Sequence, residues 1–468
     1  MENDTPVAVP RLVIAGISGD SGKTLVSLGL AALARREGRA VAAFKKGPDF
    51  IDAAWLSWAS GRPARHLDTY LMGVSGARDA FQMHALPDGF NLVEGNRGLY
   101  DGMDASGTHS TAVLAKTLGA PVVLVLNATK MTRTAAALVL GCQHLDPEVP
   151  LRGVILNRVA GKRHEKVLRE SIEGACGIPV LGAIPKLPGD TLLPGRHLGL
   201  FTPQEHPQME GLSDSLARIS SSYLDVQGLM DLAASAQPLA PPRVWPHIET
   251  GSGPTIGVLR DSAFTFYYPD NLEALEREGA RLVPVSPLSG EPFPRNLDAV
   301  YAGGGFPETH GARLAENRPW LDALAAAARD GMPVYAECGG LMLLCKAIVW
   351  KGERFPLAGL LPLEVEVLPA PQGHGYTELE VDEGNPFFPV GTRLRGHEFH
   401  YSRIVDGPGR PATACRVTRG AGCFSGRDAI VQDRTWASYT HLHALASPEW
   451  APSLAALARL YRGEKGGR

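Results

Sequence analysis

Short apolar runs recur along this chain, each followed by a turn rich in glycine or proline and, in most cases, by a stretch of helical hydrophobic period. In the first half the runs fall at residues 11–16, 40–45, 90–95, 121–126, 153–157 and 179–184, and residues 25–36 carry the first helical pattern. Runs apolar on both faces and bounded by turns read as parallel strands covered on each side by helices, so the alternation predicts an open α/β sheet. The pattern lapses between residues 233 and 254, where Ala-Gln-Pro-Leu-Ala-Pro-Pro-Arg is followed by Thr-Gly-Ser-Gly-Pro. Such a cluster has neither period and marks a linker. A second α/β series then begins, with strands expected at 255–259, 281–285, 297–302 and 333–336, helices at 271–278 and 341–349, and a β-like run at 428–431. The expected partition is a domain at 1–240, a linker at 241–253 and a domain at 254–468, each long enough for its own core.

Composition narrows the partners. Charged residues are 20% of the chain and the formal net charge is −3, so no basic excess marks nucleic acid or an anionic membrane as a general partner, and small-molecule substrates are expected. The six cysteines, at 142, 176, 338, 345, 415 and 423, include no Cys-x-x-Cys pair, which points to a reducing cytoplasm without a disulfide scaffold or structural zinc. Residues 1–10 contain no apolar signal region and nowhere do eighteen apolar residues run together, so no membrane span is expected. Oligomeric state stays open, a homodimer included.

The turn after the first strand reads Ile17-Ser18-Gly19-Asp20-Ser21-Gly22-Lys23-Thr24 and leads into the first helix. Strand, glycine-rich loop and helix in that order make a phosphate-binding loop. Backbone N–H groups around Gly19 and Gly22 cradle the phosphates of ATP, the helix N-terminus adds partial positive charge, Lys23 reaches the outer phosphates and Thr24 binds Mg²⁺. Ile17 replaces the usual first glycine, and Ser18 stands where partitioning-type ATPases carry an extra lysine. Ligands of open α/β sheets bind beyond the carboxyl ends of the strands. Three such ends carry Asp49, Glu94 and Asp101, which are expected to converge on Mg²⁺ beside the phosphates. Asn157 ends a later strand, where its amide reads the adenine edge or caps the turn.

In the second half, Val334-Tyr335-Ala336-Glu337-Cys338-Gly339-Gly340 puts Cys338 on a turn between strand and helix. That is a nucleophile elbow, at which the helix N-terminus is expected to lower the thiol pKa. Gly303-Gly304-Gly305 lies at another strand end, and N–H groups of Gly304 and Gly339 are expected to form an oxyanion hole facing Cys338. The base comes from Ser438-Tyr439-Thr440-His441-Leu442-His443, whose histidines at i and i+2 point the same way on a strand. Either His441 or His443 takes the thiol proton. Zinc held by the same two histidines is the rival reading and lacks a nearby cysteine or carboxylate ligand.

The glycine triplet, the cysteine elbow and the terminal histidines together resemble the class I glutamine amidotransferases, which have a flavodoxin-like α/β fold. The phosphate loop, the segment Lys45-Lys46-Gly47-Pro48-Asp49-Phe50-Ile51-Asp52, Leu67-Asp68-Thr69-Tyr70, and residues 94–101 and 108–116 follow in the order found in the corrin-ring a,c-diamide synthases. With the glutaminase half, this resemblance covers nearly the whole chain. It implies a dethiobiotin-synthetase-like P-loop domain that activates substrate carboxylates with ATP and Mg²⁺, joined to a cobalamin-type glutaminase in a cytoplasmic ligase. The implied reaction amidates the a and c acetates of cobyrinic acid through acyl phosphates; close relatives take hydrogenobyrinic acid or a nickel or iron sirohydrochlorin. By resemblance, Thr24, Asp49 and Glu94 lie at the metal, Asp52, Asp68 and Asp101 position the substrate or its carboxylate, and His441 is favoured over His443 as base. Position 443 is histidine where many relatives of this class have glutamate, which implies a catalytic dyad, and Asn127 stands where aspartate is frequent. Gly396-His397-Glu398-Phe399-His400-Tyr401-Ser402 also matches and is expected at the substrate or a domain interface. A P-loop regulatory ATPase with a non-catalytic glutaminase-like module is the alternative from a different class.

Overall fold

All six apolar runs of the first half are strands. The computed structural model describes residues 6–187, 195–196, 199–200, 203, 209–240, 253–405, 411–424 and 426–467. The expected linker, 241–253, lies outside the described residues except for Gly253. The chain divides into two units, Met1–Val244 and Trp245–Arg468.

In the first unit, β1 (Arg11–Gly16), β2 (Val41–Lys46), β3 (Arg65–Leu67), β4 (Phe90–Gly98), β5 (Val122–Asn127), β6 (Leu151–Val159) and β7 (Val180–Pro185) form one sheet in the order β3-β2-β4-β1-β5-β6-β7. Every pairing in it is parallel. β1 therefore sits between β4 and β5 where the strand order reverses, and the loop after it opens on the crevice such sheets present to ligands. That loop ends at Gly22, whose φ of 99° is left-handed, and α1 (Lys23–Arg36) begins on the next residue. α2 (Phe50–Ser60) is capped by Asp49, which accepts from the N–H groups of Ile51 and Asp52. A small antiparallel pair, β8 (Gly195–Arg196) and β9 (Gly199–Leu200), follows.

The second unit is built on ten strands in the order β12-β10-β13-β15-β24-β23-β22-β19-β20-β25. β10 (Thr255–Leu259), β12 (Arg281–Val285), β13 (Ala299–Ala302), β15 (Val334–Glu337) and β24 (Thr435–Ser438) are parallel neighbours, and β15 is buried along its whole length. β19 (Gly373–Val381), β20 (Arg393–His400), β22 (Thr413–Arg419), β23 (Arg427–Gln432) and β25 (His441–Leu442) continue the sheet antiparallel from β24. β24 and β25 are separated by Tyr439 and Thr440 alone, yet they stand at opposite ends of this antiparallel stretch. The stretch must therefore curl until β25 lies near the end of β24, which carries His441 back to the carboxyl end of β15. β11 (Phe264–Phe266) pairs with β14 (Gly304–Gly305). β16 (Ala347–Trp350), β17 (Glu353–Pro356), β18 (Glu364–Val367) and β21 (Ser402–Val405) form a separate sheet.

One expected element differs. The helix after Cys338 runs Gly339–Leu344, and residues expected to continue it as far as 349 instead form β16. Ala347-Ile348-Val349-Trp350 is rich in β-branched and aromatic side chains, and its pairing with β17 and β18 outweighs the local helical period. The short helix packs hard against β13: a Cβ on Gly340 would lie 2.1 Å from the carbonyl oxygen of Ala302.

Candidate active sites

In the first unit, Ser21 closes the phosphate loop on itself. Its hydroxyl donates to the carbonyl of Ser18 at 2.8 Å and accepts from the N–H of Ser18 at 3.1 Å. Lys23 Nζ donates to the same carbonyl at 3.4 Å, and burial followed by the charge of Lys45 lowers its pKa. Asn157 reaches over from β6, its amide nitrogen donating to Ser21 O at 3.0 Å and its oxygen accepting from Arg158 N–H at 2.9 Å. A Cβ on Gly22 would come 2.1 Å from that amide nitrogen, so close approach as well as φ requires glycine there. Gly19 is open, with no atom near a built Cβ. Asn157 is thus a clamp on the loop, a role that neither adenine reading nor turn capping described.

The carboxylates separate into different tasks. Glu94, fully buried, accepts at Oε1 from Thr24 Oγ1 (3.0 Å) and Lys45 Nζ (2.9 Å). Lys45 also donates to Asp52 Oδ2 at 2.6 Å and to Gly95 O at 3.1 Å. Burial opposes the Lys45 charge, yet Asp52 and Glu94 raise its pKa overall, so it stays an ammonium. Asp49 lies close enough to feel Asp52 and Lys45; burial and then the Asp52 charge push its carboxyl up. Its Oδ1 is the cap of α2. Asp68 Oδ1 accepts from Tyr70 and Leu71 N–H at 2.8 and 3.1 Å, and the exposed Asp101 accepts from Gly98 N–H at 2.8 Å. Among the described residues no three acidic, histidine or cysteine side chains group as a metal site, so Asp49, Glu94 and Asp101 do not converge as expected. Each of the two aspartates stabilises its own turn, and only Glu94 of the three lies against Thr24. Glu94 Oε2 is buried with no hydrogen-bond partner among the described residues. A buried carboxylate oxygen left unsatisfied beside a phosphate-loop hydroxyl suits a hard cation.

In the second unit, Cys338 has φ 48° and ψ −100°, a strained conformation for a residue with a Cβ, costing about 1–3 kcal/mol. Its N–H donates to Ser438 O at 2.7 Å, tying the elbow to β24. A Cβ on Gly339 would lie 3.0 Å from Gly305 N, so the glycine turn sits directly against the elbow. His441, 2% exposed, crosses the other side of that turn: a Cβ on Gly304 would be 2.5 Å from its Cε1 and 3.2 Å from Nε2. The structure therefore brings Cys338, Gly339, Gly304 and His441 together. His443 is held elsewhere. Its Nδ1 accepts from Leu445 N–H at 3.2 Å, its Nε2 is 3.8 Å from Asp270 Oδ2, and its ring is 4.5 Å from that of Tyr268. β25 stops at Leu442, so the strand alternation that would aim both histidines one way does not reach residue 443.

The expected low thiol pKa is corrected. Burial first, then the charge of Glu308 and more weakly those of Glu337 and Glu398, push the Cys338 thiol up to about 12, against the opposing Gly339 N–H. A helix of six residues supplies little dipole to resist that. Near neutral pH this raised pKa keeps Cys338 a thiol. Alkylation of Cys338 by iodoacetamide, followed by peptide mass spectrometry without substrates, is expected to be slow at pH 7.5 and to rise about tenfold per pH unit through pH 10. A pH-independent rate would contradict it.

Sequence reasoning gave no role to Glu337 or Asp428. Glu337, 1% exposed, accepts from Leu442 N–H at 3.0 Å and places Oε2 3.3 Å from both His441 Nδ1 and the Tyr301 hydroxyl. His397, expected at the substrate or a domain interface, is buried and stacks on His441 with ring centroids 5.0 Å apart, while His400 stacks on Tyr439 at 3.7 Å. Asp428, fully buried, accepts from the N–H groups of Tyr439 and Thr440 and from Thr440 Oγ1, fixing the two residues that lead into His441.

A phosphate loop on a parallel sheet, and a cysteine elbow and a histidine on one glycine turn, define a nucleotide-binding unit joined to a glutamine amidotransferase unit. The family models agree: a CobQ/CobB/MinD/ParA nucleotide binding domain matches residues 12–200, and a CobB/CobQ-like glutamine amidotransferase domain matches 255–449. Cobyrinate a,c-diamide synthase of Magnetococcus marinus is 43% identical over 96% of this chain and 97% of its own. Those of Syntrophotalea carbinolica and Archaeoglobus fulgidus are 41% and 39% identical, each over 94% of this chain and 97% and 96% of theirs. The chain belongs to the cobyrinate a,c-diamide synthase family. Among its described residues no helix is long and apolar enough to cross a membrane.

Proposed function

We propose that the chain transfers the amide nitrogen of glutamine to the a and c acetate carboxylates of cobyrinic acid, with ATP driving each step. The observation that carries this reading is the presence on one chain of both sites, in a sequence 43% identical over 96% of its length to a cobyrinate a,c-diamide synthase. Cys338 Sγ attacks the side-chain amide carbon of glutamine while His441 takes the thiol proton and returns it to the leaving nitrogen. N–H groups at Gly304 and Gly339 stabilise the oxyanion. Ammonia departs, and water hydrolyses the glutamyl thioester. In the first unit, Gly19, Gly22 and Lys23 hold the phosphates, and the substrate carboxylate takes the γ-phosphoryl group, giving an acyl phosphate and ADP. Ammonia then displaces phosphate. Ammonium is not nucleophilic, so the nitrogen must move between the sites shielded from protonation. Thr24 Oγ1 and Glu94 Oε2 are the groups that would hold Mg²⁺, which neutralises phosphate charge when bound. Asp52 and Asp68 would position the substrate or its carboxylate, and Lys46, 5% exposed at the end of β2, would add positive charge suited to a polycarboxylate.

Incubation with cobyrinic acid, ATP, Mg²⁺ and amide-¹⁵N glutamine is expected to give, by mass spectrometry, a diamide carrying label at both new amides, and nothing without ATP. Label appearing only with hydrogenobyrinic acid or a metallated sirohydrochlorin would reassign the macrocycle. ATP hydrolysis with no labelled tetrapyrrole would overturn the reading.

A further inference from the structure

We propose that Glu337 is the positioning carboxylate of the glutaminase site, holding the His441 imidazole in the tautomer that leaves Nε2 basic. This rests on the reading of Cys338 as nucleophile and His441 as base. The residue two places after the histidine is His443, which turns toward Asp270, so no carboxylate reaches His441 from its own strand. Glu337 does so from β15, one residue before the nucleophile. Its Oε2 stands 3.3 Å from His441 Nδ1, and its Oε1 accepts from Leu442 N–H at 3.0 Å, so the two oxygens grip the side chain and the backbone of β25 together. Tyr301 OH donates to Oε2 at 3.3 Å. The His441 ring plane is fixed from another side by His397, whose ring is stacked on it at an interplanar angle of 21° and whose Nδ1 lies 3.0 Å from Tyr268 OH. With a carboxylate at Nδ1, the neutral ring keeps its proton there. The Nε2 lone pair then faces Gly304, the side on which the elbow lies. Protonation during attack on glutamine gives an imidazolium stabilised by the same carboxylate.

Glu337→Gln separates this role from a purely structural one. The glutamine side chain keeps an acceptor for Leu442 N–H but sets an NH₂ donor against Nδ1, which drives the proton to Nε2 and removes the base. Glutamine-dependent amidation is expected to lose roughly 10²–10⁴-fold in kcat with little change in KM for glutamine. Synthesis from added ammonia is expected to be unchanged. A drop below about threefold, or an equal drop with ammonia, overturns the proposal. Cys338→Ala run alongside distinguishes the failures: if it keeps glutamine-dependent activity, the site itself is misread, whereas its loss with Glu337→Gln retained removes only Glu337. Should Glu337→Gln fail to fold, ¹⁵N-histidine NMR of the unaltered protein decides, with His441 assigned by difference against His441→Asn. A neutral ring protonated at Nδ1 supports the proposal, and one protonated at Nε2 ends it.

Discussion

Cys338→Ala is expected to lower glutamine-supported amidation by roughly 10³-fold or more, while synthesis with ammonium salts at raised pH continues at the rate of the unaltered chain. None of the other buried cysteines in the second unit is a substitute: Cys345 donates to the Leu341 carbonyl at 3.4 Å, Cys423 donates to Asp428 at 2.9 Å and Cys415 lies within β22, all three with thiols raised by burial. Ammonia supplied from solution bypasses the elbow, and raised pH converts ammonium to the nucleophilic base. Loss with both nitrogen sources would contradict separable sites. The elbow makes a second reading of the same position possible. At φ 48° alanine keeps the strain of cysteine and glycine does not, so Cys338→Gly is expected to be about 1 kcal/mol more stable than Cys338→Ala in denaturant unfolding. A stability order in the reverse sense would deny the strain.

What was legible in the sequence is what local pattern encodes. Strands apolar on both faces betray themselves as runs, and the phosphate loop and the cysteine turn are contiguous, so both sites could be placed on their strand ends. β3, with Arg65 and His66 in a three-residue strand, carries no such run and escaped notice. The extra sheet from β16 to β21 escaped too, because its strands are half-exposed and paired across up to some forty residues. Contacts across long separations were invisible: Glu337 and His441 are 104 residues apart, and Lys45 and Glu94 are 49. The absence of a glutamate at position 443 therefore suggested a dyad, although the carboxylate arrives from another strand. The thiol pKa was misjudged for the same reason, since the burial and the charges of Glu308 and Glu398 that set it come from elsewhere in the fold.

The first unit should answer differently. Glu94→Gln is expected to reduce turnover about 10²–10³-fold with glutamine and with ammonia alike, and to raise the Mg²⁺ concentration needed for half-maximal rate. The substituted amide cannot place its NH₂ at the Oε1 position, where Thr24 and Lys45 already donate. It must take the Oε2 position and present a donor where a buried acceptor stood without a partner. The anionic oxygen offered to the cation is lost, yet Lys45 keeps its ion pair with Asp52 at 2.6 Å, so the local fold is retained. Equilibrium binding of ATP without metal should then change little, because Gly22 and Lys23 are untouched. Ammonia-driven turnover equal to that of the unaltered chain would remove Glu94 from the metal site. Asp49→Asn in the same assay reads the neighbouring carboxylate: the amide oxygen still caps α2, so a loss as large as that of Glu94→Gln would mean that the charge of Asp49, rather than its cap, serves the cation.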